Sequence, residues 1–502
     1  MVSRAYSVAF HGMEAKLVEV QCAIQPGLPA FNLVGLPGKA VSEAKERVRS
    51  AMTSLGLALP AKRITVNLSP VDMPKDGSHF DLPVAMALLA AMDVIPKDLV
   101  AAQIAMGELS LDGKLMPVIG ALPAAIAAAE ADLSLVCPAS CGAEAAWVGA
   151  VQVIAPDSLL ATINHFTGRT VLATAEPGEI AKSATHKDLR DVRGQERAKR
   201  ALEIAAAGRH HMLLVGQPGS GKSMLAARLP GIMPPMDATE ALETSMIHSL
   251  AGLLDEGGIS RSRPYRAPHH TASMAAIVGG GRGAKPGEIS LAHHGVLFLD
   301  EFPEFPRPVL ETLRQPVETG DVVVARANAH VKYPCKFMLI AAANPCRCGY
   351  LSDPARACAK VPLCGQDYLG RISGPLMDRF DIRIEVPPVT ITELSDAPAG
   401  ESSATIAARV AEARSRQTNR YVDHPNVRVN ADVEGDLLQQ VCKLDSEADA
   451  ILTKATQRYR LSARGYHRVL RVARTIADLA GRDAISAGNI AEAIGYRLTM
   501  MA

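Results

Sequence analysis

At 502 residues the chain exceeds what one hydrophobic core organises, and it is expected to divide into about three units. A composition of 48% apolar and 21% charged residues excludes an extensively disordered chain. With 53 basic against 52 acidic side chains the net charge is near +1, which excludes a global pull toward nucleic acid or membrane, so any nucleic-acid site is a local patch.

The opening stretch MVSRAYSVAFHG lacks the apolar core of a signal peptide. The longest apolar runs, LPVAMALLAAM and LMPVIGALPAAIAAA, fall short of a membrane span, so a cytoplasmic protein with no membrane partner is expected. In that reducing compartment the nine cysteines point to metal binding or burial rather than to a disulfide framework. Residues 1–165 alternate short Val/Ile/Leu strands (LVEVQCAI, RITVNLSP, VQVIA) with Ala-rich helical stretches, the pattern of an α/β domain. TAEPGEIAKSATHKDLRD loses periodicity, which places a linker at 166–187. A second α/β unit is expected over 188–390, closed by a break at the PP pair and SDAPAG. Residues 391–502 turn to helical period with Arg-rich faces, as in YHRVLRVARTIADLAGR, and read as a small helical domain.

HMLLVGQPGSGKSMLAARL sets Gly216, Gln217, Pro218, Gly219, Ser220, Gly221, Lys222 and Ser223 between an apolar strand and a helix. Glycines at this spacing let backbone N–H groups close around phosphate oxygens. Lys222 is placed to reach the β and γ phosphates of ATP, and Ser223 to help hold Mg2+. Downstream, GVLFLDEF is a buried strand ending in Asp300, a water-mediated Mg2+ ligand, and Glu301, a general base for the attacking water. FMLIAAANP ends at Asn344, a neutral amide able to orient that water. Arg379 beside a strand and Arg464 at a helix start complete the order, with a shared use in stabilising charge on the transferring phosphoryl group.

This succession resembles an AAA+ ATPase of the magnesium-chelatase-like branch, and RAPHHTASMAAIVGGGRGAKPGEISLAHHGVLFLDEF resembles the YifB/ComM family. The likeness covers essentially the whole chain. It implies an α/β P-loop core with a helical lid, Asn344 as sensor 1, Arg379 as a finger presented to a neighbouring subunit, and Arg464 as sensor 2. Val192 and Gln195 fall in the segment expected to cradle adenine. A finger acting in trans implies a ring, expected to be a homohexamer. The family pattern also implies inserts at 261–290 and before sensor 1, where VVVARA and AHVKY form a β-hairpin offering Arg326, His330 and Lys332 to DNA phosphates in a central channel.

The N-terminal segment VNLSPVDMPKDGSHFDLPVAMALLAA is similar to the proteolytic domain of Lon. That activity needs a serine two places after the PKDG glycine and a helix-borne lysine, but His79 holds the place, Ser78 comes one early, and LPAAIAAAE carries no lysine. The domain is therefore expected to be non-proteolytic. Cys346, Cys348, Cys358 and Cys364 can complete a four-thiolate Zn2+ shell; a reduced, partly buried set of thiols and, less favoured, an iron–sulfur cluster are the other readings. The family resemblance implies helicase or branch-migration activity on single-stranded or branched DNA during natural transformation. A chelatase-like or chaperone-like remodeller of a protein client is the alternative.

Overall fold

Along Met212–Val215 every side chain is buried, and successive residues point to opposite faces of the sheet: Met212 and Leu214 enter one hydrophobic core, Leu213 and Val215 another. Such a strand belongs inside a parallel sheet covered on both faces. The computed structural model describes residues 2–180, 186–254, 258–281, 284–326, 329–351, 355–389 and 400–498. In it, Met212–Val215 pairs in parallel with Met338–Ala343 on one side and Ile382–Glu385 on the other. Val296–Leu299 and then Tyr265–Arg266 extend the sheet beyond Met338–Ala343, again in parallel. Because all of these strands run the same way, the ends of Met212–Val215, Val296–Leu299 and Met338–Ala343 open on one edge, where the strand order reverses and α/β sheets bind ligands.

The first core is shared with the C-terminal helices. Val410 and Ala413 of Ser403–Arg420 and Val469, Val472 and Ala473 of Ala463–Leu479 pack with Leu202, Ile204 and Ala205 of Glu196–Gly208. The C-terminal helices are thus fused to the parallel sheet by one continuous core, and Ser402 and Ser462 cap the starts of two long helices among them. The second core takes in the antiparallel hairpin Asp321–Arg326 and Ala329–Pro334 through Val322, Val324, Val331 and Tyr333. The predicted hairpin is present; its turn at 327–328 and the Arg326 side chain lie outside the described residues, as does the predicted break at 390–399.

A separate sheet organises the N-terminal region, with strands in the order Ala30–Val34, Arg63–Ser69, Glu14–Gln25, Val2–His11, Gln103–Ala105, Ser134–Val136 and Val153–Ile154. Val2–His11, Glu14–Gln25 and Arg63–Ser69 are antiparallel neighbours, and the flanking pairs are parallel. Helices Lys39–Ser54 and Asp81–Ala91 close one face and Ala121–Glu130 the other. The turn between the first two strands reaches the hairpin Asp321–Arg326 and Ala329–Pro334: Phe10 and Met13 pack on its core, and a Cβ at Gly12 would lie 2.9 Å from Val331. No helix among the described residues is long and apolar enough to cross a membrane.

Candidate active site

The glycine loop begins where Met212–Val215 ends and hands over to the helix Lys222–Ala226. Gly216 is required by close approach, since a Cβ there would lie 2.2 Å from the Val386 carbonyl oxygen. Gly221 is required by conformation, with φ +88° in the left-handed region. The Lys222 ammonium is folded back over the loop, donating to the Gly216 and Gln217 carbonyls at 2.8 and 2.9 Å and to Asn344 Oδ1 at 3.3 Å. Burial pulls the Lys222 pKa down, and the charges of Asp300 and Glu301 oppose it. Ser220 lies in the same loop, its Oγ buried and without a hydrogen-bond partner.

Ser223 donates to Asp300 Oδ2 at 2.5 Å, so the hydroxyl and carboxylate expected to serve Mg2+ already meet. Asp300 Oδ1 accepts the Glu301 N–H at 2.9 Å. Glu301 itself adopts φ +49°, an uncommon conformation for a side-chain-bearing residue. Its carboxylate turns toward His270, with Oε2 3.1 Å from Nδ1. Sequence reasoning did not assign His270 a role; its only signal was the HH pair inside the stretch that carries the family resemblance.

Val192 is buried at the entry to Glu196–Gly208, and Gln195 caps that helix with φ +58° while its side-chain amide donates to the Pro387 carbonyl at 2.6 Å. Val386, the neighbour of Pro387, is the residue that crowds Gly216, so the 192–195 segment and the glycine loop meet at the end of Ile382–Glu385.

The arginines lie elsewhere. Arg379 is only 7% exposed, and its three bonds, to the carbonyls of Arg314 at 2.9 Å and Pro375 at 2.7 Å and to the Glu318 carboxylate, stay within its own chain. Arg464 is 65% exposed and lies 3.6 Å from the same Glu318. Neither arginine contacts Lys222, Asp300, Glu301 or Asn344. On the hairpin, Lys332 pairs with Asp321 at 2.8 Å, His330 is exposed, and Tyr333 donates to the Ala284 carbonyl at 3.0 Å.

The sulfurs of Cys346, Cys348 and Cys364 lie within 4.8 Å of one another. Cys358 contacts both Cys348 and Cys364. Hydrogen bonding, first from Cys346 at 3.0 Å, draws the Cys348 thiol down to about 6, while desolvation lifts Cys364 to about 12. This donor set fits a thiolate-bound metal, which would supply fixed tetrahedral geometry. A second grouping, Glu243, His293 and His294, fits less well. His293 Nδ1 accepts the Lys336 N–H at 3.0 Å, which leaves the proton on Nε2, directed at Glu243. In the N-terminal domain Ser78 donates to Glu108, His79 Nε2 lies 2.9 Å from the Val8 carbonyl, and the buried Lys75 ammonium donates to the Pro70 carbonyl.

Three family models match in succession. Subunit ChlI of Mg-chelatase covers residues 18–140, magnesium chelatase subunit ChlI covers 188–394, and the C-terminal model of that subunit covers 400–497. The competence protein ComM of Haemophilus influenzae is 43% identical over 98% of this chain and 96% of its own. YifB of Escherichia coli K12 is 41% identical over 99% of this chain and 97% of its own. The magnesium-chelatase 38 kDa subunit of Rhodobacter capsulatus is 25% identical over 38% of this chain and 54% of its own. With the glycine loop, the Asp300–Glu301 strand end and Asn344 assembled at one sheet edge, the chain belongs to the YifB/ComM family of magnesium-chelatase-like AAA+ ATPases.

Proposed function

We propose that the chain assembles into a ring, a homohexamer, and couples ATP hydrolysis to remodelling of DNA. The observation that carries this reading is the separation of charges. Lys222, Ser223, Asp300, Glu301 and Asn344 converge on one loop, whereas Arg379 and Arg464 converge on Glu318. A nucleotide at the loop lacks the guanidinium that phosphoryl transfer uses unless a second copy supplies it. Both arginines are assigned to the neighbour's nucleotide, with Val192 and Gln195 beside the adenine.

In the hydrolytic step Lys222 leaves its carbonyl partners for the β and γ phosphates. Asn344 orients the water, and Glu301, held by His270, takes its proton. Mg2+, held by Ser223 and through water by Asp300, would neutralise charge between the phosphates. The buried, partnerless Ser220 Oγ and the preformed Ser223–Asp300 contact support this assignment.

The likeness to the Haemophilus competence protein supports DNA as the substrate and natural transformation as the setting. Arg326, His330 and Lys332 would carry the DNA contact, with helicase or branch-migration activity on single-stranded or branched DNA as the output. The cysteines would hold one Zn2+ as a brace beside Asn344; a closed four-thiolate shell leaves no open position for catalysis. The N-terminal domain is read as a Lon-like fold kept for interaction, since Ser78 faces a carboxylate rather than a lysine. The test is ATP turnover with and without single-stranded, duplex and branched DNA, paired with strand displacement on the same substrates. Stimulation with displacement is expected. Indifference to every DNA would transfer the reading to a protein client.

A further inference from the structure

One carboxylate joins the two arginines. Glu318 Oε2 accepts from Arg379, and the other oxygen, Oε1, lies 3.6 Å from Arg464. Arg379 belongs to the ATPase core, ahead of Ile382–Glu385, and Arg464 to the lid helix Ala463–Leu479, so Glu318 also bridges core and lid. Two guanidiniums brought toward one phosphate repel each other, and a carboxylate shared between them offsets that repulsion and fixes their spacing.

The position of Glu318 in the chain gives the bridge a second connection. It lies near the end of the helix Arg314–Thr319, whose first residue donates no proton to Arg379 but accepts one, through the Arg314 carbonyl at 2.9 Å. Arg379 is therefore held from both ends of that helix. Gly320, at φ +71°, terminates it, and Asp321 opens the hairpin in the next residue. The returning strand closes on the same point, since the Cys335 N–H donates to the Gly320 carbonyl at 2.7 Å. Both legs of the hairpin are thus anchored at the end of the helix that carries Glu318.

We propose that Glu318 is a positioning residue: it holds Arg379 and Arg464 together for a phosphoryl group, and its helix conveys displacement of the hairpin to both. This rests on the reading that the two arginines serve a neighbouring copy. It assigns Glu318 no contact with nucleotide.

The experiment compares the wild-type chain with Glu318→Gln, which keeps shape and removes charge, and Glu318→Asp, which keeps charge. Steady-state kcat and KM for ATP are measured with and without single-stranded DNA. Glu318→Gln is expected to lower kcat about tenfold with KM within about twofold and to bring the DNA stimulation ratio close to unity, while Glu318→Asp recovers most of the lost kcat. An unchanged kcat, a raised kcat, a change confined to KM, or an Asp variant no better than Gln would each overturn the proposal. The two failures separate: Glu318→Gln turning over normally beside an inactive Arg379→Ala chain refutes only the role of Glu318, whereas an Arg379→Ala chain with normal turnover refutes the neighbour reading itself.

Discussion

In the proposed mechanism Glu301 is the residue on which the chemistry turns, and its setting makes a specific demand. Its carboxylate is half exposed, held by His270 and placed by an unusual backbone turn. Glu301→Gln preserves shape and removes the base, so kcat is expected to fall by at least about 100-fold while nucleotide affinity is retained, as measured by equilibrium binding of a fluorescent ATP analogue beside steady-state turnover. Gln195 is named through the family resemblance, whereas Lys222, Ser223, Asp300, Glu301 and Asn344 could be named from the sequence because each is tied to a local pattern, a glycine loop or an apolar strand end. His270 and Glu318 could not, because each acquires its partner from a distant segment: His270 from Glu301 across the insert, and Glu318 from the lid and from the strand-proximal Arg379. No local periodicity marks such pairs.

Two histidines, the half-buried His211 and the buried His293, make the central sheet sensitive to acid. His211 Nδ1 accepts the Leu339 N–H and His293 Nδ1 accepts the Lys336 N–H, both at 3.0 Å, so neither nitrogen can take a proton without losing a main-chain bond around Met338–Ala343. Burial brings both pKa values down to about 4 from an ordinary 6.5; Asp381 resists this at His211, and Glu243 at His293. A folded-state pKa below the unfolded one means stability is full above the unfolded value and lost as pH falls through the interval to about 4. Denaturant midpoints are expected to fall across that window, and His293→Gln to flatten part of the slope. At the hairpin, replacing Arg326 and Lys332 together by Ala is expected to lower DNA stimulation of ATP turnover several-fold, read by titrating single-stranded DNA. The hairpin was legible from the family pattern and from the Asn-containing turn between VVVARA and AHVKY, but its docking on Gly12 and Met13 was not, because contact between domains leaves no periodic signal.

At the scale of the whole molecule, a shared core fuses the C-terminal helices to the parallel sheet, while Phe10 and Met13 of the N-terminal region pack on the core that holds the hairpin. The sequence leads to the expectation of three parts through the loss of periodicity at 166–187 and the turn to helical period after 390. The cysteine cluster beside Asn344 predicts about one zinc per chain by elemental analysis of purified protein, lost in Cys364→Ser. Metal-free, fully active protein would leave only burial as the role of those thiols. The proposed ring rests on where the charges lie, since the glycine loop with Lys222 and the pair Arg379 and Arg464 occupy different places on one chain. The most direct measurement mixes two inactive chains, Lys222→Ala and Arg379→Ala, and follows ATP turnover. In an equal mixture about a quarter of the boundaries pair an intact Lys222 with an intact Arg379, so turnover is expected to return to about that fraction of wild type. A mixture as inactive as its components would contradict the account.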